Sequence, residues 1–574
     1  MTFKELKRNI KKDYTGFKEM KIAVLGDSPT QLLAQAIKGA GYNQQLNFNV
    51  FDADYNQVDR LTLDITSELY NNKAAYTIIF ESAQKLLEHY NKTTDQERTN
   101  FADNQLKRIE KMARSVQSSS DTKIIYFNYA ELDDQVFGNY SNKVESSFPF
   151  QQRKLNYLIM EYSVKNPAFN ICDISSIQNR LGRELLFSPS IYINTDSVLS
   201  IEALPVVAEC LAQMISVIEG QVKKCLIVDL DNTIWGGVIG DDGMDHIKIG
   251  SLGIGKAFTE LQYWIKKLKQ RGIIICVCSK NTESIAKEPF EKHPDMVLRL
   301  EDFSVFKANW ENKVDNIKAI QQILNIGFDS MVFIDDNPFE RGMVSEAIPN
   351  ITVPKLPEDP AEYLSYLYSL NLFETASYSD EDAMRTEQYN IRAKATEEME
   401  TFDNENDFLK NLKMLSNVQD FNSFSIPRVA QLSQRSNQFN LRTIRYTEED
   451  IRNIVESSKF KTFFFTLEDK YGDNGIISAI ILEKLNGNEL FIDTWFMSCR
   501  VIKRGMEKFV LNTIVTYARE NGYEKIVGEY IPTAKNDLVK EHYKGFGFEE
   551  INGLWELAVA KFVDKETFIN MKER

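Results

Sequence analysis

Residues 224–237 read KCLIVDLDNTIWGG, an apolar run that ends in two acids one residue apart and continues to a tryptophan and two glycines. The run has the length and composition of a strand buried on both faces, which is typical of a parallel sheet between helices. Parallel sheets bind ligands where their strands end. The stretch therefore predicts an α/β domain with a polar site at Asp229, Asp231 and Thr233.

Further apolar runs predict the neighbouring strands of this sheet. We expect strands at GIIICVCS (272–279), MVLRL (296–300) and SMVFIDD (330–336), with helices between them. The alternation of strand and helix favours a parallel arrangement, in which all carboxyl ends meet at one edge.

Polar residues recur at these strand ends in a fixed order. They are Asp229 with Asp231, then Ser279, then Lys313 on a following helix, and finally Asp335 with Asp336. A carboxylate can attack phosphorus when Mg²⁺ and a cationic side chain offset the repulsion between two anions. Taken alone, the first two acids could merely cap a turn, but the ordered set favours phosphoryl chemistry.

This order resembles the haloacid dehalogenase (HAD) superfamily, whose motifs are a DxDx(T/V) strand end, a Ser or Thr strand end, a lysine and a paired-acid strand end. By that resemblance Asp229 is the nucleophile that forms an aspartyl-phosphate. Asp231 protonates the leaving oxygen and then activates water. Ser279 and Lys313 hold the phosphoryl oxygens and stabilise the developing charge.

The same resemblance implies a metal site. Mg²⁺ is expected on Asp229, Asp335 and the backbone carbonyl of Asp231, with Asp336 as an adjacent helper. Hard oxygen ligands of this kind suit Mg²⁺ rather than Zn²⁺.

The intervals between the motifs predict an open site. In this superfamily a cap domain is inserted after the first or the second motif, and Asp229 to Ser279 leaves room for a small flap and one helix. The interval from Ser279 to Lys313 is equally short. A site without a large cap favours a large substrate, or closure by a neighbouring domain.

The sequence around the motifs resembles the FkbH-like branch of the superfamily, subfamily IIIC, over roughly residues 222–565. The resemblance is carried by DLDNTIWGGVIGDDG, CSKN, NWENKVDNI, LNIGFDSMVFIDDNPFER and RVAQLSQRSNQFNLRT. It implies transfer of a glyceryl unit from 1,3-bisphosphoglycerate to an acyl carrier protein, with removal of the phosphate. A phosphorylated small molecule and an acyl carrier protein are therefore the expected partners.

Three residues near this site have two interpretations each. Trp235 belongs either to a mobile apolar flap over the substrate or to the core of that flap. Cys278 is either a thiol that carries the glyceryl unit or a small buried hydrophobe, and the same alternatives hold for Cys276.

The C-terminal region predicts an α+β domain, because three apolar runs precede a helix: KTFFFTLE (461–468), GIISAIILE (475–483) and ELFIDTWFMS (489–498). This order resembles the GNAT acyltransferase fold. The resemblance implies that coenzyme A or a phosphopantetheine thioester binds there. The alternative is a retained fold that only docks a carrier protein.

The GNAT resemblance also implies a set of cofactor-binding residues. They are Arg500, Arg504, Gly505, Asn536 and Tyr543. The first three form a strand-to-helix turn whose N–H groups can bind a pyrophosphate. Lys503 stands where the family has its first glycine, and the tyrosine is the expected acid.

The N-terminal region alternates apolar runs, KIAVLG (21–26), YTIIF (76–80) and KIIYF (123–127), with helical stretches. Its LGDSPT segment resembles the first block of SGNH hydrolases, with Ser28 at the nucleophile position. That chemistry needs a histidine base, and none occupies the expected DxxH position. We therefore expect an inactive fold in which Ser28 is a turn or helix-capping residue.

The chain of 574 residues exceeds what a single core organises. The predicted fold class is α/β with a central Rossmann-like parallel sheet and no large cap. We place an SGNH-like α/β domain at 1–218, an HAD-like domain at 219–376, an acidic helical connector at 377–412 and a GNAT-like α+β domain at 413–574.

Composition excludes several classes of function. The net charge of −15 argues against nucleic-acid binding. The chain has no long uninterrupted apolar stretch and no secretion signal at its start, so we expect neither a membrane span nor export. Six scattered cysteines fit a reducing compartment, and we expect a cytoplasmic protein.

The leading hypothesis is an Mg²⁺-dependent phosphatase or phosphoryl-acyl transferase that acts on a small phosphorylated acyl unit delivered to a carrier protein. The alternative is a GNAT-type acyltransferase with the central domain as a scaffold. A purely structural adaptor does not explain why every motif acid is intact.

Overall fold

A computed structural model gives the fold of the chain. It describes residues 1–378, 404–436, 438–485, 488–498, 501–502, 504–533 and 535–572. The chain divides into two compact units, Met1–Ser216 and Val217–Arg574, and each is described by itself. Among the helices that the structure describes, none is both long and apolar enough to cross a membrane.

The first unit is built on a five-stranded parallel sheet with the strand order β2-β1-β3-β4-β5. The strands are β1 (Lys18–Gly26), β2 (Leu46–Asp52), β3 (Tyr76–Phe80), β4 (Lys123–Phe127) and β5 (Phe169–Cys172). β3 is buried at every position, as expected for a central strand covered on both faces. The strands predicted at 21–26, 76–80 and 123–127 are confirmed.

Helices connect the strands of the first unit and pack their apolar sides on the sheet. They are α1 (Phe3–Asn9), α2 (Gln31–Gly41), α3 (Val58–Leu63), α4 (Glu68–Asn72), α5 (Ala83–Lys92), α6 (Asp95–Arg98), α7 (Phe101–Ser119), α8 (Phe148–Lys165), α9 (Ile174–Leu181), α10 (Arg183–Leu186), α11 (Pro189–Thr195) and α12 (Leu204–Ile218). Local sequence sets their starts. The α5 helix, for example, begins after Ser82, whose Oγ accepts the N–H of Lys85 at 3.2 Å.

Ser28 does not cap a helix, contrary to one of its two predicted roles. It lies in a bend after β1 and is fully buried. Because it precedes Pro29, the helical conformation is disfavoured at this position. The N-cap position of α2 is Thr30, whose hydroxyl instead donates to Asp52 at 2.7 Å.

The second unit contains two sheets. The first is a four-stranded parallel sheet in the order β8-β7-β6-β9, formed by β6 (Cys225–Val228), β7 (Ile274–Ser279), β8 (Val305–Ala308) and β9 (Met331–Ile334). Its helices are α13 (Ile239–Asp242), α14 (Gly253–Gln270), α15 (Glu283–Lys292), α16 (Lys313–Leu324), α17 (Pro338–Ala347) and α18 (Tyr363–Leu370). Apolar clusters cover both faces of the sheet, which explains the uninterrupted apolar runs of its strands.

The prediction of a strand at MVLRL (296–300) is wrong. This segment is apolar because Met296 and Leu298 are buried, but no strand forms there. The side chain of Gln262 takes the place of a strand neighbour, since its Oε1 accepts the N–H groups of Val297 at 3.0 Å and Leu298 at 3.1 Å. The edge strand is β8, nine residues later along the chain.

The second sheet lies in the C-terminal part of the unit. Its strands are β10 (Leu415–Ser416), β11 (Val418–Gln419), β12 (Phe460–Asp469), β13 (Gly472–Leu485), β14 (Glu489–Met497), β15 (Lys525–Gly528), β16 (Glu549–Ile551), β17 (Leu554–Ala558) and β18 (Asn570–Met571). The strand order is β16-β17-β15-β14-β13-β12-β10-β18, with β11 beside β12. The three strands predicted here correspond to β12, β13 and β14.

Five described helices accompany this sheet: α19 (Glu405–Asn411), α20 (Ile426–Arg435), α21 (Glu448–Glu456), α22 (Met506–Glu520) and α23 (His542–Gly545). The mixture of helices with parallel and antiparallel strands agrees with the predicted α+β character. Most of the predicted acidic connector lies outside the described residues.

Candidate active site

The central strand β6 places Asp229 at the carboxyl edge of the four-stranded sheet. Val228, the last residue of β6, is in register with Val277 of β7 and Ile334 of β9. The N–H of Asp229 then donates to the carbonyl of Ile334 at 3.0 Å. Since neighbouring strands end at the same level, the residues that follow them meet at one edge.

Lys313 joins two of these strand ends. Its Nζ lies 2.9 Å from Oδ1 of Asp229 and 2.5 Å from Oδ2 of Asp335. Asn312 fixes the start of α16, because its side chain accepts the N–H of Asp315 at 2.9 Å. The lysine is 4% exposed, so its charge acts in a site largely shielded from water.

Burial and charge shift the pKa of each of these groups. Burial and the charge of Asp229 raise the pKa of Asp335, Lys313 lowers it, and the net result is a pKa of about 6. Burial also raises the pKa of Asp229, against the lowering effect of Lys313 and of a hydrogen bond from Ser279. The two carboxylates in turn raise the pKa of Lys313, despite its burial.

Three carboxylates could hold a divalent cation. Oxygen atoms of Asp229, Asp335 and Asp336 lie within 4.8 Å of one another. With the single ammonium of Lys313, these three acids leave two negative charges, which a divalent cation would neutralise. The oxygen-only donor set fits Mg²⁺. The third carboxylate belongs to Asp336, which was predicted only as an adjacent helper. Asp231 was expected to contribute its backbone carbonyl and not its side chain.

Hydrogen bonds fix the loop that carries the paired acids. The N–H of Asp336 donates to Oγ1 of Thr233 at 3.1 Å, and the N–H of Asn337 donates to Oδ1 of Asp335 at 2.8 Å. Arg341 donates to the carbonyls of Asp335 and Asp336 at 2.7 and 2.6 Å. Arg341 has no role predicted from the sequence, although its position in the segment NPFER, shortly after the paired acids, is a usable signal.

The carboxylate of Asp231 accepts three hydrogen bonds. The donors are Nε1 of Trp235 at 2.9 Å and the N–H of Ile239 at 3.0 Å, both to Oδ1, and Nδ2 of Asn281 at 3.1 Å to Oδ2. Burial raises the pKa of Asp231, and the bonds from Ile239 and Trp235 lower it. The predicted acid–base residue is therefore held by the loops after β6 and β7.

Trp235 is a core residue, so the interpretation as a mobile flap side chain is wrong. The ring is fully buried and lies 5.5 Å from that of Phe290, centroid to centroid. The glycines after it let the turn pack closely. A Cβ on Gly236 would come within 2.8 Å of the Phe258 ring, and Gly237 has a φ of +97° that favours glycine.

Ser279 ends β7 and is almost fully buried beside Asp229. The neighbouring Cys278 points into the core on the other side of the strand, where its Sγ lies 3.7 Å from the carbonyl of Lys313. Burial raises the pKa of its thiol, which disfavours the reactive thiolate. Cys276 is buried with its Sγ 3.9 Å from that of Cys225. Both environments match the interpretation as small hydrophobes.

Those predicted cofactor-binding residues that the structure describes, Arg504, Gly505, Asn536 and Tyr543, do not form one open site. Arg500, like Lys503, lies outside the described residues. Arg504 forms an ion pair with the buried Asp469, and Gly505 precedes α22 with a φ of +80°.

The other two side chains in this set are internal. Asn536 is fully buried and donates to the carbonyls of Asn440 and Ile531, each at 3.0 Å. Tyr543 is 1% exposed within the apolar core, and burial raises the pKa of its hydroxyl. Their contacts stabilise the fold around α23, and neither side chain faces a solvent-accessible ligand position.

The chain is similar to one protein family and to one solved structure at high sequence identity. Residues 21–216 match the family described as FkbH, N-terminal domain. The crystal structure of the N-terminal part of the protein BF1531 from Bacteroides fragilis, containing a phosphatase domain complexed with Mg, is 54% identical, with a TM-score of 0.64. The match covers 66% of this chain and 100% of that one. No curated protein matches the chain.

Two acetyltransferase structures match shorter parts of the chain. Ribosomal-protein-S18-alanine N-acetyltransferase from Escherichia coli is 12% identical, covering 25% of this chain and 94% of that one with a TM-score of 0.21. A GNAT-family acetyltransferase from Staphylococcus aureus Mu50 is 16% identical. The match covers 25% of this chain and 99% of that one, with a TM-score of 0.21. Similarities at this level assign no activity to the matching region.

Proposed function

Since the chain belongs to the family of the Bacteroides fragilis protein BF1531, we propose that it is an Mg²⁺-dependent phosphatase of the HAD type, with Asp229 as its nucleophile. The observation that carries the proposal is the contact of Lys313 with both Asp229 and Asp335 at one sheet edge. The Mg in the relative supports the choice of metal for the three-carboxylate site.

The first step transfers the phosphoryl group to the protein. A carboxylate oxygen of Asp229 attacks the phosphorus, the bond from phosphorus to the leaving oxygen breaks, and Asp231 gives its proton to that oxygen. Lys313 and Ser279 stabilise the charge on the phosphoryl oxygens. Mg²⁺, when bound by Asp229, Asp335 and Asp336, would neutralise charge between nucleophile and phosphate.

The second step returns Asp229 to its starting state. The carboxylate of Asp231 removes a proton from water, and the water oxygen attacks the phosphorus. The bond between phosphorus and Asp229 then breaks, which releases inorganic phosphate. The three hydrogen bonds to Asp231 support this role, because they orient its carboxylate without a contact to Lys313 or to the carboxylates of the metal site.

The substrate that we propose is a glyceryl-type phosphorylated acyl unit that is loaded on an acyl carrier protein. Two exposed aromatic residues flank the site and support a macromolecular partner. Trp310 is 74% exposed three residues before Lys313, and Phe339 is 68% exposed three residues after Asp336. Exposed aromatic side chains are common anchors of protein interfaces.

Phosphate release from small phosphorylated acyl compounds, measured with Mg²⁺, tests the phosphatase. We expect turnover by the natural protein and none by Asp229→Asn, and intact-mass analysis of the natural protein should detect one added phosphoryl group. Asp245→Asn is the matched control, because Asp245 is an exposed acid in the segment between β6 and α14. Full phosphate release by Asp229→Asn would refute the proposal.

A further inference from the structure

The first unit holds a pocket that the phosphatase chemistry does not use. The pocket lies beyond the carboxyl ends of β3, β4 and β5, and its empty space is about 430 Å³ when the open solvent at its mouth is included. Parallel α/β sheets bind ligands in crevices at these strand ends. The pocket therefore lies at the ligand-binding edge of the sheet, on the β3–β5 side of the switch point between β1 and β3.

The interior of the pocket is apolar. Its buried side chains include Phe80, Leu132, Ile174, Leu186 and Leu199. The short helix α10 contributes to the lining, and its last residue Leu186 accepts the N–H of Ser200 at 3.0 Å. Such a lining accommodates a hydrocarbon chain and offers few polar groups to orient it.

The charged residues that line the pocket differ in whether they have an ion-pair partner. Arg108 binds both carboxylate oxygens of Glu81, at 2.7 and 3.0 Å, and Arg153 pairs with Glu131. Both acids of the lining are thus neutralised by arginines from outside it. Arg183 also lines the pocket, is exposed, and has no carboxylate partner among the described residues. The pocket therefore carries one uncompensated positive charge.

The start of α5 adds to this positive potential. Ser82, Ala83 and Gln84 line the pocket, and they form the N-cap and the first two residues of this ten-residue helix. The N–H of Ser82 already donates to the carboxylate of Asp27 at 2.7 Å, so the helix start contributes through Ala83 and Gln84. The N-terminus of a helix carries a partial positive charge. Both features favour an anionic group beside an apolar chain.

We propose that this pocket binds an amphipathic monocarboxylate. Its hydrocarbon chain lies among Phe80, Leu132, Ile174, Leu186 and Leu199, and its carboxylate pairs with Arg183 at the rim. The inference is independent of the phosphatase activity, because none of the residues of the Asp229 site contributes to it.

Titration calorimetry of the full-length protein with octanoate tests the proposal, and 1-octanol serves as the uncharged probe. We expect saturable binding of octanoate at one site. Arg183→Glu should weaken octanoate binding at least tenfold and leave 1-octanol binding unchanged. Arg180→Glu, at an exposed arginine of the neighbouring α9 that does not line the pocket, should bind octanoate like the natural protein.

A second variant tests whether both probes bind in this pocket, because it reduces the volume of the pocket. Val198→Phe places a larger side chain at the pocket wall and should abolish binding of both probes, with the thermal unfolding midpoint showing that the variant is folded. Inorganic phosphate with Mg²⁺ should leave octanoate binding unchanged. The proposal is refuted if the natural protein shows no saturable octanoate binding, if Arg180→Glu weakens it as much as Arg183→Glu, or if phosphate displaces octanoate.

Discussion

Lys313 contacts Asp335 with 2.5 Å between Nζ and Oδ2, although the two residues are 22 positions apart in the chain. Lys313 begins α16, and Asp335 follows β9. The same ammonium lies 2.9 Å from Asp229. One cation thus connects the proposed nucleophile with a proposed metal ligand, which makes Lys313 the residue whose removal should affect the site most broadly.

Replacing this cation should impair both activity and stability. Lys313→Met is expected to lower kcat by about 10²-fold or more, the range for loss of one group that stabilises transition-state charge. It should also lower the thermal midpoint in EDTA, because buried carboxylates lose their counter-ion. Lys318→Met, at an exposed lysine of the same helix, is the matched control and should change neither quantity.

Mg²⁺ should stabilise the folded protein through the three-carboxylate cluster. At a concentration a hundred times the dissociation constant, a ligand that binds only the folded state adds about 2.7 kcal/mol to the free energy of unfolding. The thermal midpoint should therefore fall when EDTA removes the ion. Asp336→Asn should need more Mg²⁺ for the same midpoint, and an unchanged Mg²⁺ titration would mean that Asp336 does not bind the ion.

The bond from Trp235 to Asp231 predicts a dependence on the leaving group. Trp235→Phe removes the indole donor and keeps an aromatic ring in the core. A misplaced acid slows departure of an alkoxide more than that of a phenolate, which leaves without protonation. We expect kcat to fall about tenfold more for an alkyl phosphate than for p-nitrophenyl phosphate. Equal losses on both substrates would indicate a purely structural role for Trp235.

The exposed Trp310 predicts a difference between free and carrier-bound substrates. Trp310→Ala should raise KM for a carrier-bound acyl unit about tenfold, a typical effect of removing an aromatic interface anchor. Turnover of a free small phosphorylated substrate should remain unchanged, because Trp310 makes no hydrogen bond to the catalytic groups. Tyr263→Ala, at an exposed aromatic residue on α14, is the control. Equal KM values for the two variants would contradict a docking role.

His542 predicts a pH dependence of stability. Burial lowers its pKa to about 3, whereas an unfolded histidine has a pKa of about 6.5. Between these values the unfolded chain binds a proton that the folded chain does not. The contribution of His542 to the free energy of unfolding is therefore complete above pH 6.5 and is lost as the pH falls toward 3. At pH 5 the loss is about 2 kcal/mol.

The variant His542→Phe isolates this effect, because the imidazole lies among aromatic rings that a phenyl ring can also contact. We expect a smaller decrease in the thermal midpoint between pH 7.5 and 5 for the variant than for the natural protein. Parallel curves for the two proteins would show that His542 does not titrate in this way.

Much of the fold could be predicted because buried parallel strands are recognisable as apolar runs. YTIIF (76–80) and KIIYF (123–127) match β3 and β4 residue for residue. The run MVLRL was misleading, because a side chain of Gln262 can satisfy buried N–H groups as a strand does. Hydropathy reports burial, and burial alone does not specify the hydrogen-bond partner.

The order of the site residues could also be predicted, but their division into roles could not. Ser279, Lys313 and Asp335 were expected at one sheet edge and lie there. The direction of the Asp231 side chain depends on the turn after β6, where Asn232 has a φ of +54° and Trp235 folds back as a donor. Such turns are set by packing against α14, which lies twenty residues further along the chain.

The sequence by itself determined the parallel sheets and the order in which acids, serine and lysine follow their strands, because both depend on local composition and spacing. Only the tertiary structure decided that Asp336 completes the carboxylate cluster, that Cys278 is internal and that Arg183 lines an apolar pocket with no carboxylate partner in the described part of the chain. These properties depend on which groups from distant segments surround each side chain, and distance in space is not encoded by spacing along the chain.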